Sequence, residues 1–168
     1  MPPAIKLIDP SQNEFLAGLE SKTKQPNPFY RAMAQRPEVL KDFVPFYKAV
    51  LGPGSIDRRI KMLIYLACSY ANECAFCIAA NLPAAKKAGV TEEETRALQT
   101  EQDQDFSAPE RAVIRYAREL TQTADAAETR GELAEHYTSE QIVEITLVAA
   151  LANFTNRFNN GLVIEPED

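Results

Sequence analysis

Apolar residues recur at helical intervals along most of this chain. After Ser55, the residues Ile56, Ile60, Leu63 and Ala67 share one stripe, and Met62, Ile64 and Leu66 widen it until little polar face is left. That pattern predicts a helix buried on most sides. Ser55 is placed as its cap, with Asp57 in the first turn, where negative charge is favoured. Ala71-Asn72 reads as a break, and Asn72 as the N-cap of a helix that runs to Lys87, distorted at Pro83 and ended by Gly89. Upstream, a short helix capped by Asp9 carries Phe15, Leu16 and Leu19 on one face, and Gln25-Pro26-Asn27-Pro28 interrupts the chain. A second short helix covers Phe29 to Gln35. Pro37 opens a third, through Val39, Leu40, Phe43, Phe46, Tyr47 and Val50, with a kink expected at Pro45 and an end at Gly52-Pro53-Gly54. Three later helices begin with capping boxes, Thr91 with Glu94, Ser107 with Glu110 and Thr138 with Gln141. The polar stretch 123–137 holds one short helix. The last helix is apolar nearly all round from Ile142 to Leu151, as a core or interface helix is. No stretch alternates as a strand does. The expectation is an all-α helical bundle, with residues 1–26 as a lead-in segment and 27–168 as one domain.

The 168 residues suffice for one domain with a substantial core. The net charge of −6 comes with no basic face, which argues against a nucleic-acid partner. No apolar run is long enough to span a membrane, and Met1-Pro2-Pro3-Ala4-Ile5-Lys6 lacks the apolar core of a signal peptide, so the expected place is the cytoplasm. Three cysteines do not make a secreted disulfide framework. In a reducing compartment a Cys-x-x-Cys pair points to redox or metal chemistry instead.

That pair is Cys74 and Cys77. On a helix, residues three apart are neighbours, with Cβ atoms roughly 5–6 Å apart, and a helix N-terminus favours the reactive thiolate. Such a pair can attack a disulfide substrate, as a disulfide oxidoreductase does, or a peroxide, passing then through a sulfenic acid to a disulfide that an external thiol resets. The competing interpretation is two small buried hydrophobes. Zinc needs about four ligands, and with His136 the single histidine, no metal and no other cofactor is expected. Cys68 is read as packing and His136 as surface. Arg157 is read as bonding helix-end carbonyls or a partner subunit, ahead of a third reading as a substrate-anion ligand. Tyr65 and Tyr70 are read as core packing.

The run Ser55-Ile56-Asp57-Arg58-Arg59-Ile60-Lys61-Met62-Leu63, then Asn72 to Asn81, then Ala88-Gly89-Val90-Thr91, resembles the core of the carboxymuconolactone decarboxylase / AhpD-like family. The ending Ala152 to Leu162, with its four asparagines, resembles the family's peroxidase-related branch. The likeness covers roughly residues 30–165. It implies an oligomeric helical fold (dimer, trimer or hexamer). It also implies thiol-based peroxide reduction, with a partner protein or small thiol as electron donor. By the same resemblance Cys77 is the nucleophile and Cys74 the resolving thiol, an order that the helix dipole alone would reverse. Redox-active relatives carry a proton relay: a glutamate on the preceding helix and a histidine four residues after the second cysteine. Those positions hold Met62 and Asn81 here. Asn81 can donate a hydrogen bond to a thiolate but cannot take a proton, and Glu73 is the nearest carboxylate. Two alternatives stay open, a lactone decarboxylase on the same scaffold and a non-catalytic, redox-sensing helical assembly.

Overall fold

The computed structural model describes residues 2–166, and among them every regular element is a helix. The order is α1 (Glu14–Thr23), α2 (Pro28–Met33), α3 (Pro37–Leu51), α4 (Arg58–Ala71), α5 (Ala75–Lys87), α6 (Glu92–Thr100), α7 (Ala108–Thr123), α8 (Arg130–His136) and α9 (Ser139–Leu162). Two short 3-10 turns, Pro10–Gln12 and Asp103–Asp105, precede α1 and α7. Helix α4 lies at the centre and packs on α5, α6, α7 and α9. Its residues Met62, Leu63, Ile64 and Leu66 are fully buried. At about 1.5–3 kcal/mol per buried aliphatic side chain, this one helix supplies a large share of the driving force for folding. The all-round apolar pattern foretold that position.

The capping boxes form as expected, and two do a second job. Arg59 on α4 bonds Glu94 at 2.6 Å and Glu110 at 2.8 Å, so the glutamates that cap α6 and α7 also bind both helices to the central one. The cap of α4 differs from expectation. Asp57, not Ser55, accepts the Ile60 N–H at 2.8 Å. Ser55 is taken by Glu144 of α9, which accepts from its hydroxyl at 2.5 Å and from its backbone at 2.6 Å. At the N-terminus Asp9 caps only the first 3-10 turn, and Asn13 caps α1. Helix α3 runs through Pro45 without interruption. The lead-in segment is fastened to the bundle by Ile8 N–H to Arg31 O, by Ala4 N–H to Leu162 O and by the Glu20–Arg31 ion pair.

Lys61 is 1 % exposed on the core helix. Its ammonium pairs with Glu144 and donates to the carbonyls of Val50 and Gly52 at 2.9 and 2.5 Å, closing the C-terminus of α3. Gly54 permits this approach, because a Cβ there would overlap the Glu144 carboxylate. On the outside, Phe46, Val143, Leu147 and Phe154 leave an exposed apolar strip along α3 and α9.

Burial alone would raise the Glu144 pKa, but the donors Lys61 and Ser55 outweigh it and hold the carboxyl down at about 2. A depressed carboxylate stabilises above its unfolded pKa, and that contribution disappears as pH falls through the folded value. Glu144→Gln should therefore cost about 3–5 kcal/mol near neutral pH, since it strands a buried ammonium. The gap from wild type should narrow as pH drops from about 4.5 toward 2. Denaturant melts of both proteins across pH check this; a gap independent of pH would refute it.

Candidate redox site

Helix α4 stops in a Schellman arrangement. Glu73 adopts the left-handed conformation (φ 52°), its N–H bonds Tyr70 O at 3.0 Å, and Cys74 N–H bonds Ser69 O at 3.0 Å. The chain then enters α5 at once, with Cys74 as the N-cap. Asn72, expected to cap α5, is instead the C-cap of α4. This shifts the register of the pair. Cys74 stands at the N-cap and Cys77 at the third helical position, so both sulfurs lie within the first turn, where the dipole acts. The Cys77 N–H donates to Cys74 Sγ at 3.3 Å. The two residues are joined as a disulfide, with Cα atoms 5.3 Å apart.

Asparagines on α9 hold this junction. Asn72 donates to Asn153 Oδ1 and Asn156 Oδ1, each at 2.9 Å. Asn160 donates to Asn72 O at 2.8 Å, and Asn156 donates to Ser69 Oγ at 3.1 Å. Asn153 also donates to Thr121 Oγ1 at 2.9 Å, and Arg157 bonds Thr121 O at 3.2 Å, so α7 joins the clamp. Arg157 thus serves a helix-end carbonyl, the first of its expected roles.

The two sulfurs are not equivalent. Cys74 is fully buried. Cys77, 2 % exposed, lines a cavity of about 60 Å³ whose other walls include Tyr47, Tyr65, Asn81, Thr155 and Asn159. The short helix α2 and the residue before it close one side with Asn27, Phe29 and Tyr30. Phe76 and Ala80 stand between this cavity and an open surface cleft of about 400 Å³. Asn159 donates to Cys77 Sγ at 3.3 Å, while its buried Oδ1 has no hydrogen-bond partner. Tyr65 and Thr155 share a 2.5 Å hydrogen bond.

Of the accessory candidates, Asn81 lines the cavity, but its amide donates to Cys77 O at 2.8 Å and not to sulfur. A residue four positions on finds the helical carbonyl first. Glu73 is exposed and outside the cavity lining. Met62 is sealed in the core. Tyr65, read from the sequence as core packing, faces the cavity; Tyr70 does not line it. Cys68 is buried beside the carbonyls of Ala117 and Ala149, and burial pushes its thiol up to about 11, so it stays neutral. His136 is exposed. The sequence reading assigned no role to Asn159, Thr155 or the other α9 asparagines. The signal was there, because asparagines at 153, 156 and 160 repeat at helical spacing on a helix that is otherwise apolar.

The sequence profile described as the carboxymuconolactone decarboxylase family matches residues 37–119. That stretch, just under half of the chain, is similar to the carboxymuconolactone decarboxylase family. It runs from α3 into α7 and includes the cysteine pair, whereas α9, the source of the asparagine clamp, lies beyond it. YdfG of Bacillus subtilis (strain 168) is 28% identical over 135 residues, 78% of this chain and 89% of that protein. A peroxidase-related protein of Ralstonia eutropha JMP134, an alkylhydroperoxidase AhpD core, superposes with a TM-score of 0.83 over 100% of this chain and 94% of its own at 19% identity. The debrominase Bmp8 superposes with a TM-score of 0.82 over 96% of this chain and 90% of its own at 23% identity. At such identities the likeness carries the fold. The matched segment is thus set in a single-domain AhpD-like bundle.

Asn156 is fully buried and engaged at both ends of its amide. Asn156→Ala should cost about 1–3 kcal/mol, because Ser69 and Asn72 lose a buried partner. It should also loosen the α4–α5 junction, so the reduced pair of this variant should re-form its disulfide more slowly. Stopped-flow oxidation with a small disulfide measures the second effect. A variant that is destabilised yet closes at the wild-type rate would separate the clamp from the placement of the sulfurs.

Proposed function

We propose that the protein is a thiol-dependent peroxide reductase in which Cys77 attacks and Cys74 resolves, working in the cytoplasm with an external thiol as electron donor. The observation that carries this reading is the asymmetry of the pair. Cys77 faces a cavity with amide, phenol and hydroxyl groups in its wall, and Cys74 does not. Asn159 supports the same order. Its amide N–H favours a Cys77 thiolate, and its unpartnered Oδ1 offers an acceptor to a peroxide hydroxyl. The N-cap position suits Cys74 as the resolving sulfur, because the Cys77 N–H that it accepts steadies it as the thiolate leaving group when a reductant opens the disulfide.

The cavity also discriminates among substrates. About 60 Å³ admits a few water-sized molecules and hence hydrogen peroxide. A variant of the debrominase Bmp8 is seen with 2,3,4-tribromopyrrole, a ring far larger than this cavity. A lactone decarboxylase would need a cation for its substrate carboxylate, and no lysine, arginine or histidine lines the cavity. Its signature would be turnover by the Cys74→Ser/Cys77→Ser double variant. One observation favours a redox-sensing assembly instead, the burial of both sulfurs. The two readings differ in thiol ionisation. A catalytic Cys77 should alkylate with a half-maximal rate below about pH 8.5, the free-cysteine value, and a sensor should not.

With hydrogen peroxide the reduced protein should close the 74–77 disulfide. Cys74→Ser should stop at a sulfenic acid that dimedone traps on Cys77, and Cys77→Ser should not react. Intact-mass measurements read all three species. Inertness of the wild-type pair to excess peroxide would falsify the proposal.

A second copy of the chain is the proposed occupant of the apolar strip along α3 and α9, as the resemblance to oligomeric relatives implies. Placing Glu at both Phe46 and Leu147, exposed by 49 % and 43 %, should shift the sedimentation profile to the monomer. An unchanged profile would put the interface elsewhere.

A further inference from the structure

The Cys77 cavity contains a hydroxyl system that the cysteine motif does not announce. Tyr65 projects from α4, three residues on from Met62, and Thr155 from α9. Their oxygens lie 2.5 Å apart, both buried, at the wall that Cys77 shares. Tyr47 of α3 lines the same cavity and interacts with the Tyr65 hydroxyl. The Thr155 hydroxyl also has Ala152 O within reach at 3.0 Å. From this arrangement we infer that Tyr65 is the catalytic acid of peroxide reduction, giving its proton to the oxygen that leaves when Cys77 attacks. The inference rests on the peroxide reading above.

The step balances. The Cys77 thiolate attacks the nearer oxygen of HO–OH, forming the S–O bond and breaking the O–O bond. The departing oxygen takes the Tyr65 proton and leaves as water. Tyr65 remains as a phenolate, which the Thr155 and Tyr47 hydroxyls stabilise by donation. Cys74 then attacks the Cys77 sulfur, the S–S bond forms, and the S–O bond breaks to release a second water. Of the two protons consumed in this half, one comes from solvent in place of that lost by Cys77, and the other reaches the site from Cys74. Two thiols are oxidised and one peroxide is reduced to two waters.

Acidities set the direction. Burial pushes the Tyr65 phenol up, against the two hydroxyl donors, to about 12. It is therefore too weak an acid to ionise on its own and too basic, once ionised, to stay so beside a thiol. It is still a stronger acid than water, with a pKa of 15.7, the conjugate acid of the departing hydroxide. The phenol can supply the leaving-group proton but cannot act as the base that activates Cys77. That activation falls to the first turn of α5 and to Asn159.

The test varies the leaving group. Hydrogen peroxide expels hydroxide, which needs a proton, whereas peracetic acid expels acetate, which does not. Reduced wild type, Tyr65→Phe and Thr155→Val are oxidised with each reagent across pH, and the loss of free thiols is followed in time. Tyr65→Phe should slow oxidation by hydrogen peroxide about 10²-fold, and Thr155→Val about tenfold, with peracetic acid rates within about threefold of wild type for both. Both variants remove or replace a hydroxyl without changing bulk, and Thr155→Val carries the test if Tyr65→Phe does not fold. Equal slowing with both oxidants, or none with either, would overturn the role of Tyr65. A wild type that reacts with neither oxidant would overturn the peroxide reading itself.

Discussion

The α4–α5 junction must be held against α9 for this molecule to have a site at all. Three residues, Asn72, Glu73 and Cys74, separate the central helix from the cysteine helix, and Glu73 sits in a conformation that residues other than glycine rarely adopt. Left alone, such a turn has other choices. The amides of Asn153, Asn156 and Asn160 remove them by bonding both ends of Asn72 and the hydroxyl of Ser69. Each bond is worth about 1 kcal/mol. What they give together is position: Cys74 becomes a cap, Cys77 turns into the cavity, and Asn159, one turn on from Thr155, reaches its sulfur.

The same logic recurs at the other end of α4. Lys61 and Ser69 are polar intrusions near the two ends of a helix largely buried in hydrocarbon, and α9 satisfies both, through Glu144 near its start and Asn156 near its end. A buried charge pair is a poor source of net stability but sets register strongly, since sliding α9 by a turn would strand the ammonium. Two polar contacts 12 residues apart on α9 thus fix both its rotation and its height against the central helix. The apolar surfaces provide the driving force and these contacts choose among the ways of packing them.

Much of the fold was legible because its signals are local. Capping boxes, proline at helix starts and the all-round apolar α4 depend on residues a few positions apart. The α4–α5 boundary was misread because asparagine caps either end of a helix, and because the expected glycine stop is a glutamate here. Ser55 was misread because its partner, Glu144, lies 89 residues away. The site divides in the same way. The cysteine pair is a local motif and stood out. Tyr65 with Thr155, 90 residues apart, and Cys77 with Asn159, 82 apart, come together only through the packing of α4 and α5 on α9. No spacing rule links them.

Met62 and Asn81, at the positions where the resemblance implies an ionisable relay, fit the closure of the cavity. A histidine at position 81, on the wall of a space of about 60 Å³, and a glutamate at position 62, inside the core, would each have to be desolvated in their charged forms, at several kcal/mol per ion. Phenols, amides and a threonine hydroxyl are neutral and lose far less on burial, provided their hydrogen bonds are met. The walls around Cys77 follow that rule with one exception, the Asn159 carbonyl oxygen. An acceptor that no protein group meets, beside a sulfur and in a space large enough for a small polar molecule, can receive a hydrogen bond from such a molecule. On the peroxide reading, a neutral wall and one open acceptor serve a single purpose. They let a small uncharged oxidant bind at the sulfur, and they place no charged side chain in the wall beside the thiolate.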